Sequence, residues 1–167
     1  YFMAVVVKLF GGLGNQMFQY ATGRGIADKT NQTLKIETET GFIDDFYERK
    51  YSLNHFNIIE NIVSPLELPQ HIIGVPEKNV FLKRCIQYVN NRYPLLNYRY
   101  PRDGWMILHE KNKMYDQRVM TPSEKKYLVG YWQSEKYFLH IRDILINDFS
   151  LKVPFHGINL EMVMKMS

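Results

Sequence analysis

Cysteine is nearly absent: Cys85 is the only one among 167 residues. One thiol cannot close an intrachain disulfide or build a multi-cysteine metal site, so a reducing compartment is the expected setting. Long apolar runs are also missing. None approaches the roughly 18 residues of a membrane span, and the amino terminus has neither the basic region nor the apolar stretch of a secretory leader. The expectation is a cytoplasmic protein, with peripheral attachment to a membrane left open. A strong charge of either sign is lacking as well: 21 Lys+Arg against 17 Asp+Glu give +4. That mild surplus suits acidic ligands such as phosphates and falls short of a nucleic-acid signature. No internal repeat or low-complexity tract is visible.

What is present is an ordinary folding composition, 46% hydrophobic and 23% charged. The length corresponds to about one domain with a sizeable core. Tyr1 and Phe2 precede Met3 and are left out of functional reasoning, giving a domain over residues 3–167. Ala4 to Phe10 is a β-branched run ended by Gly11-Gly12, the pattern of a strand buried on both faces of a parallel sheet. A helix is expected from Gln16 to Lys29, with Met17, Tyr20, Ala21 and Ile26 on one side. Gly23 and Gly25 weaken that helix, so close packing is the reason to keep them. Thr33–Glu37 reads as the second strand of a strand, helix, strand unit.

Residues 38–78 carry three prolines and no sustained period, and read as loops with short helical turns. Asn79 to Tyr93 has helical spacing and stops before Pro94. Trp105–His109 and Tyr127–Tyr131 are further strands. A helix is expected from Glu135 to Phe149, with Ser134 as its N-cap and Phe138, Ile141, Leu145 and Phe149 as one apolar stripe. The resulting fold class is α/β, a Rossmann-like parallel sheet with helices on both faces.

Two segments carry candidate chemistry. Gly11, Gly12 and Gly14 lie between a strand and a helix start, where free backbone N–H groups and the helix dipole favour an anion. The competing reading is a tight turn that needs glycine for positive φ alone. A dinucleotide fingerprint fails because Met17 stands where its third glycine belongs, although Glu37 lies at the spacing of a ribose ligand; no phosphate-loop pattern exists anywhere. Asn15 and Gln16 add neutral side-chain donors suited to sugar hydroxyls and phosphate oxygens. The second segment, Gln133, Ser134 and Glu135, follows a strand in the same way. In open α/β sheets ligands sit beyond the carboxyl ends of strands, so both segments are expected to face one cleft. Lys136 and Glu135 read equally well as solvated charges, and Tyr131 and Trp132 as core or as a sugar platform. His55, His71, His109 and His156 show no metal-like spacing. Asp44, Asp45 and Glu135 form the local pool for a general base, with no choice among them.

Gly11-Gly-Leu-Gly-Asn-Gln-Met-Phe-Gln-Tyr-Ala21 closely resembles the amino-terminal motif of the α-1,2-fucosyltransferases of glycosyltransferase family 11. Gly130-Tyr-Trp-Gln-Ser-Glu-Lys-Tyr-Phe138 is similar to a second motif of that family, with tryptophan for phenylalanine, and Arg49-x-Tyr51-x-Leu53-x-x-Phe56 to its linking pattern. The resemblance implies the amino-terminal domain of a two-domain GT-B enzyme. It implies transfer of fucose from GDP-fucose to the 2-hydroxyl of a galactose-containing glycan, with inversion and no metal or other cofactor. For that reaction the turn's own chemistry gives Asn15 an expected catalytic part, with Gly11, Gly12, Gly14, Gln16, Gln133, Ser134 and Glu135 as expected substrate contacts. The family's His-x-Arg-Arg-Gly-Asp motif is not in this chain. His140-Ile-Arg142-Asp143 lacks its glycine and reads as helix surface. The expectation is therefore an incomplete fragment without transfer activity of its own, lacking the carboxyl-terminal donor-binding domain. The alternative is a stand-alone carbohydrate- or nucleotide-binding module.

Overall fold

The computed structural model describes residues 3–43, 45–64, 68, 105–110, 114–123 and 125–153. The helix expected from Asn79 to Tyr93, together with Asp44, His71, Cys85 and His156, lies outside them. Four parallel strands form one sheet: β1 (Ala4–Lys8), β2 (Thr33–Glu37), β3 (Trp105–His109) and β4 (Lys125–Val129), in the order β2-β1-β4-β3. The fold is α/β and Rossmann-like, as the strand and helix patterns predict. β1 and β4 occupy the centre, paired Ala4 to Lys125 through Val7 to Leu128. A central parallel strand is covered on both sides, which is why β1 is almost wholly apolar.

The sheet separates two clusters. Val5, Val7, Leu9, Ile36 and Leu128 face the long helix α1 (Leu13–Thr30) and the short helix α2 (Arg142–Asp148). Val6, Trp105 and Tyr127 point the other way, against Val63 and Leu68. α1 buries most of its circumference from Gln16 to Ala27 rather than one stripe. Gly23 and Gly25 make this possible: a Cβ on Gly23 would stand 2.9 Å from Leu34 Cδ1, and one on Gly25 would collide with the Tyr137 carbonyl. Both glycines therefore serve close packing, and Asn31 ends the helix in the left-handed conformation at φ 53°.

Three boundaries differ from expectation. β1 stops at Lys8 and α1 begins at Leu13, so the intervening turn is shorter than the pattern suggests. β4 runs from Lys125 to Val129, two residues earlier than expected, because the Tyr131 N–H is taken by the Glu110 carboxylate instead of a ladder partner. The helix expected from Glu135 to Phe149 is broken into single 3₁₀ turns at Glu135–Tyr137 and Leu139–Ile141 followed by α2. Phe138, at φ −136° and ψ 5°, marks the break. There the Tyr137 carbonyl closes on Gly25, and the Tyr137 hydroxyl accepts the Asp116 N–H at 2.8 Å. The Ser134 side chain makes no cap bond. Ile141, Leu145, Phe138 and Phe149 still pack on the core, so the stripe survives the break.

Lys126 in β4 is fully buried, its ammonium donating to the Val119 carbonyl at 2.7 Å and to the Thr121 carbonyl. Burial pulls its pKa down to about 8 from 10.5. Between those values the unfolded chain holds the proton more tightly than the folded one, so this group raises stability as pH rises. Urea midpoints from pH 7.5 to 10.5 test this: the wild type gains on Lys126→Met across that window, and a constant difference contradicts it.

Candidate active site

The site grows from the turn after β1. The Leu9 N–H still reaches the Glu37 carbonyl at 2.9 Å, and the Phe10 N–H goes to Gln19 Oε1 at 3.0 Å. Gly11 then adopts φ 78°, the one glycine of the described residues in the left-handed region. Gly12 is the N-cap of α1, and no side chain caps the helix there or adds an acidic group to its first turn. The N–H groups of Leu13, Gly14 and Asn15 have no intrahelical acceptor by helix geometry, which leaves them and the dipole directed outward. A Cβ added at Gly12 or Gly14 would meet nothing within 4 Å. Neither glycine is demanded by φ or by packing. Open space in front of a helix amino terminus is what an approaching phosphate or sugar needs.

β4 delivers the second segment to the same place. The Gln133 Nε2 donates to Asn15 Oδ1 at 3.1 Å across 118 residues of sequence, and the Thr22 hydroxyl donates to the Trp132 carbonyl at 3.3 Å. The Tyr131 ring lies beside Gly11 and 4.9 Å from Phe10, centroid to centroid. Trp132 holds φ 55°, and the Ser134 N–H returns to its carbonyl at 2.8 Å. A tryptophan in left-handed backbone is strained, and such strain gathers where a chain must aim side chains at a site. Trp132 itself is core, edge-on to Tyr137 at 5.7 Å, whereas Tyr131 is exposed beside the turn.

The candidate residues divide accordingly. Gly11, Gly12, Gly14, Asn15 and Gln133 come together, with Ser134 half-buried and Glu135 and Lys136 exposed just beyond. Gln16 is different: it is buried, its Nε2 donates to the Gly11 carbonyl at 2.9 Å and the Lys50 carbonyl at 3.0 Å, and its Oε1 accepts the Ser52 N–H. The amide expected to meet a sugar instead fastens residues 50–52 to α1. Glu37 is no ribose ligand either. It is buried, and its carboxylate accepts from the Glu39 and Thr40 N–H groups and the Thr40 hydroxyl. Asp45 is held to about pKa 2 by the Arg49 guanidinium, which it binds through both oxygens at 2.8 to 3.1 Å, and so makes a poor base. His140 rests on the Gly25 carbonyl at 3.1 Å, an ordinary helix-surface contact. Among the described residues no cluster of His, Cys, Asp and Glu is arranged to hold a metal ion, and no helix is long and apolar enough to cross a membrane.

Motif and spacing arguments miss Glu110. It lies directly after β3, and its Oε2 accepts the Tyr131 N–H at 2.7 Å, so a third strand end contributes a carboxylate beside the turn after β4. The strand-end rule that singles out Gly11 and Gln133 applies to Glu110 equally well.

The chain is 25% identical over 147 residues to an alpha-1,2-colitosyltransferase of Escherichia coli, an alignment that covers 87% of this chain and 44% of that protein. The chain thus spans less than half the length of this relative. No family model matches, and no solved structure matches. The likeness makes the chain a distant relative of a glycosyltransferase.

Two glycine substitutions separate packing from binding. Gly25→Ala, which meets the Tyr137 carbonyl, lowers stability by about 1–3 kcal/mol. Gly14→Ala raises it by up to about 1 kcal/mol, since alanine is the better helix former. If the open space receives an anion, Gly14→Ala nevertheless weakens pyrophosphate binding in a calorimetric titration, and unchanged affinity in this more stable variant would show that the space serves no such ligand.

Proposed function

We propose that this chain is the amino-terminal half of an inverting α-1,2-fucosyltransferase that moves fucose from GDP-fucose to the 2-hydroxyl of a galactoside. The observation that carries the reading is the Asn15–Gln133 hydrogen bond: it joins the two motif segments beside an uncapped helix amino terminus. The relationship to a glycosyltransferase supports the same class.

The chemistry asks for little. The acceptor O2 forms a bond to the anomeric carbon on the face opposite the departing diphosphate, which leaves with the electron pair of the broken C–O bond. The O2 proton goes to a base. Developing charge on the diphosphate is met in part by the first-turn N–H groups of α1, with a second domain supplying the cationic remainder. Asn15, held by Gln133, orients sugar or phosphate oxygen. Glu110 and Glu135 are the carboxylates of the described residues at these strand ends. No metal is needed for any of these steps.

The test compares the 167-residue chain with the full product of its reading frame, each given GDP-fucose or nucleotide-activated colitose and a β-galactoside. The full product is expected to form an inverted linkage to O2, and the 167-residue chain to fall short of it by about 10²-fold or more, the effect of losing even one good transition-state contact. Asn15→Ser in the full product lowers kcat/KM by roughly 10²-fold with an unchanged melting temperature. Saccharide or nucleotide binding without turnover by the full product contradicts the transferase and supports a binding module.

A further inference from the structure

We propose that Phe46 and Tyr47 form a stacking platform for the galactoside acceptor at the rim of this cleft; the proposal rests on the transferase reading above. Gly41 and residues 50–52, on either side of the two rings, are fastened to the turn after β1 and to α1. Gly41 lies against the Leu9 carbonyl, a contact that any Cβ would block, and Gln16 holds the Lys50 carbonyl and the Ser52 N–H. The same Gln16 Nε2 donates to the Gly11 carbonyl, so Lys50 and Gly11 share one donor and lie side by side.

The segment is built rather than loose. The Asp45 carboxylate accepts the Tyr47 N–H at 2.9 Å, the Arg49 N–H at 3.2 Å and the Arg49 side chain. The two rings stand edge-to-face at 5.1 Å and 90°, with the Arg49 guanidinium 4.7 Å from the Tyr47 centroid. Its polar groups are thus committed to holding the turn, while Phe46 is left 88% exposed and Tyr47 70%. Two large rings packed on each other and left in water form an apolar surface that a ligand can cover.

A galactoside fits that surface by its own stereochemistry. With the 4-hydroxyl axial, the C3, C4 and C5 hydrogens share one face of the pyranose and make it apolar, so it packs on an aromatic ring and sheds water there. The equatorial 2-hydroxyl then lies at the ring edge, clear of the stacked face. The Tyr47 hydroxyl offers a donor to the remaining hydroxyls.

The experiment uses the double variant Phe46→Ala/Tyr47→Ala, whose side chains are exposed enough for the fold to keep its melting temperature. In the full product of the reading frame, the acceptor KM for a β-galactoside rises roughly tenfold or more, while the GDP-fucose KM stays unchanged. In the 167-residue chain, saturation-transfer signals from methyl β-galactoside to the protein fall in parallel. Unchanged acceptor KM and unchanged saturation transfer overturn the platform and leave the transferase standing. Loss of a dimer in sedimentation, with acceptor KM unchanged, also overturns it by assigning the rings to a second copy of the chain. Absence of transfer by the wild-type full product overturns the transferase reading first and the platform with it.

Discussion

The parallel pairing of β1 with β4 is the constraint on which the site depends. Because the two central strands run in the same direction and in register, Val7 opposite Leu128, the chain leaves both at one level of the sheet. The turns after the two strands must then meet: Tyr131 beside Gly11, and Gln133 against Asn15. Neither segment alone is more than a turn. The sheet makes them neighbours, and its burial on both faces keeps the spacing fixed.

The long helix has to satisfy two opposed demands, and its glycines divide between them. Gly23 and Gly25 face inward and let α1 sink onto β1, β2 and the Tyr137 backbone, at a loss in helix propensity that packing offsets. Gly12 and Gly14 face outward and leave the amino terminus open. A polar network holds the helix at its middle so that its end stays aimed. The Tyr20 hydroxyl donates to Asp148 Oδ2 at 2.7 Å and accepts the Ile59 N–H at 3.0 Å, while Arg24 lies 3.5 Å from the same carboxylate oxygen. Burial pushes the Tyr20 phenol well above its ordinary pKa, so it remains a donor at any working pH.

Local pattern reaches the strands, the long helix and the turn between them, since β-branched runs and glycine pairs act over a few residues. It stops where tertiary contact decides. Asn15 and Gln16 are adjacent amides with the same chemistry, yet one meets Gln133 and the other ties down residues 50–52, a distinction set by a segment 34 residues away. The expected strand starts at Tyr127, whereas β4 already includes the buried Lys126, whose ammonium donates to the Val119 and Thr121 carbonyls. The helix from Glu135 is legible as a stripe but not as broken turns, because the break comes from packing against Gly25. Glu37 has the spacing of a ribose ligand and the burial of a structural residue. Glu110 is within reach of the strand-end rule and is the contributor that motif matching passes over.

The central claim is that the turn after β1 and the turn after β4 form one ligand site. Amide chemical shifts of the ¹⁵N-labelled chain, titrated with GDP-fucose and with methyl β-galactoside, test it most directly. One shared site predicts that the amides of Gly12 to Asn15 and those of Tyr131 to Gln133 move together, with one midpoint for a given ligand. Shifts confined to the opposite ends of the strands, around Ala4, Thr33 and Lys125, or different midpoints for the two turns, would contradict it.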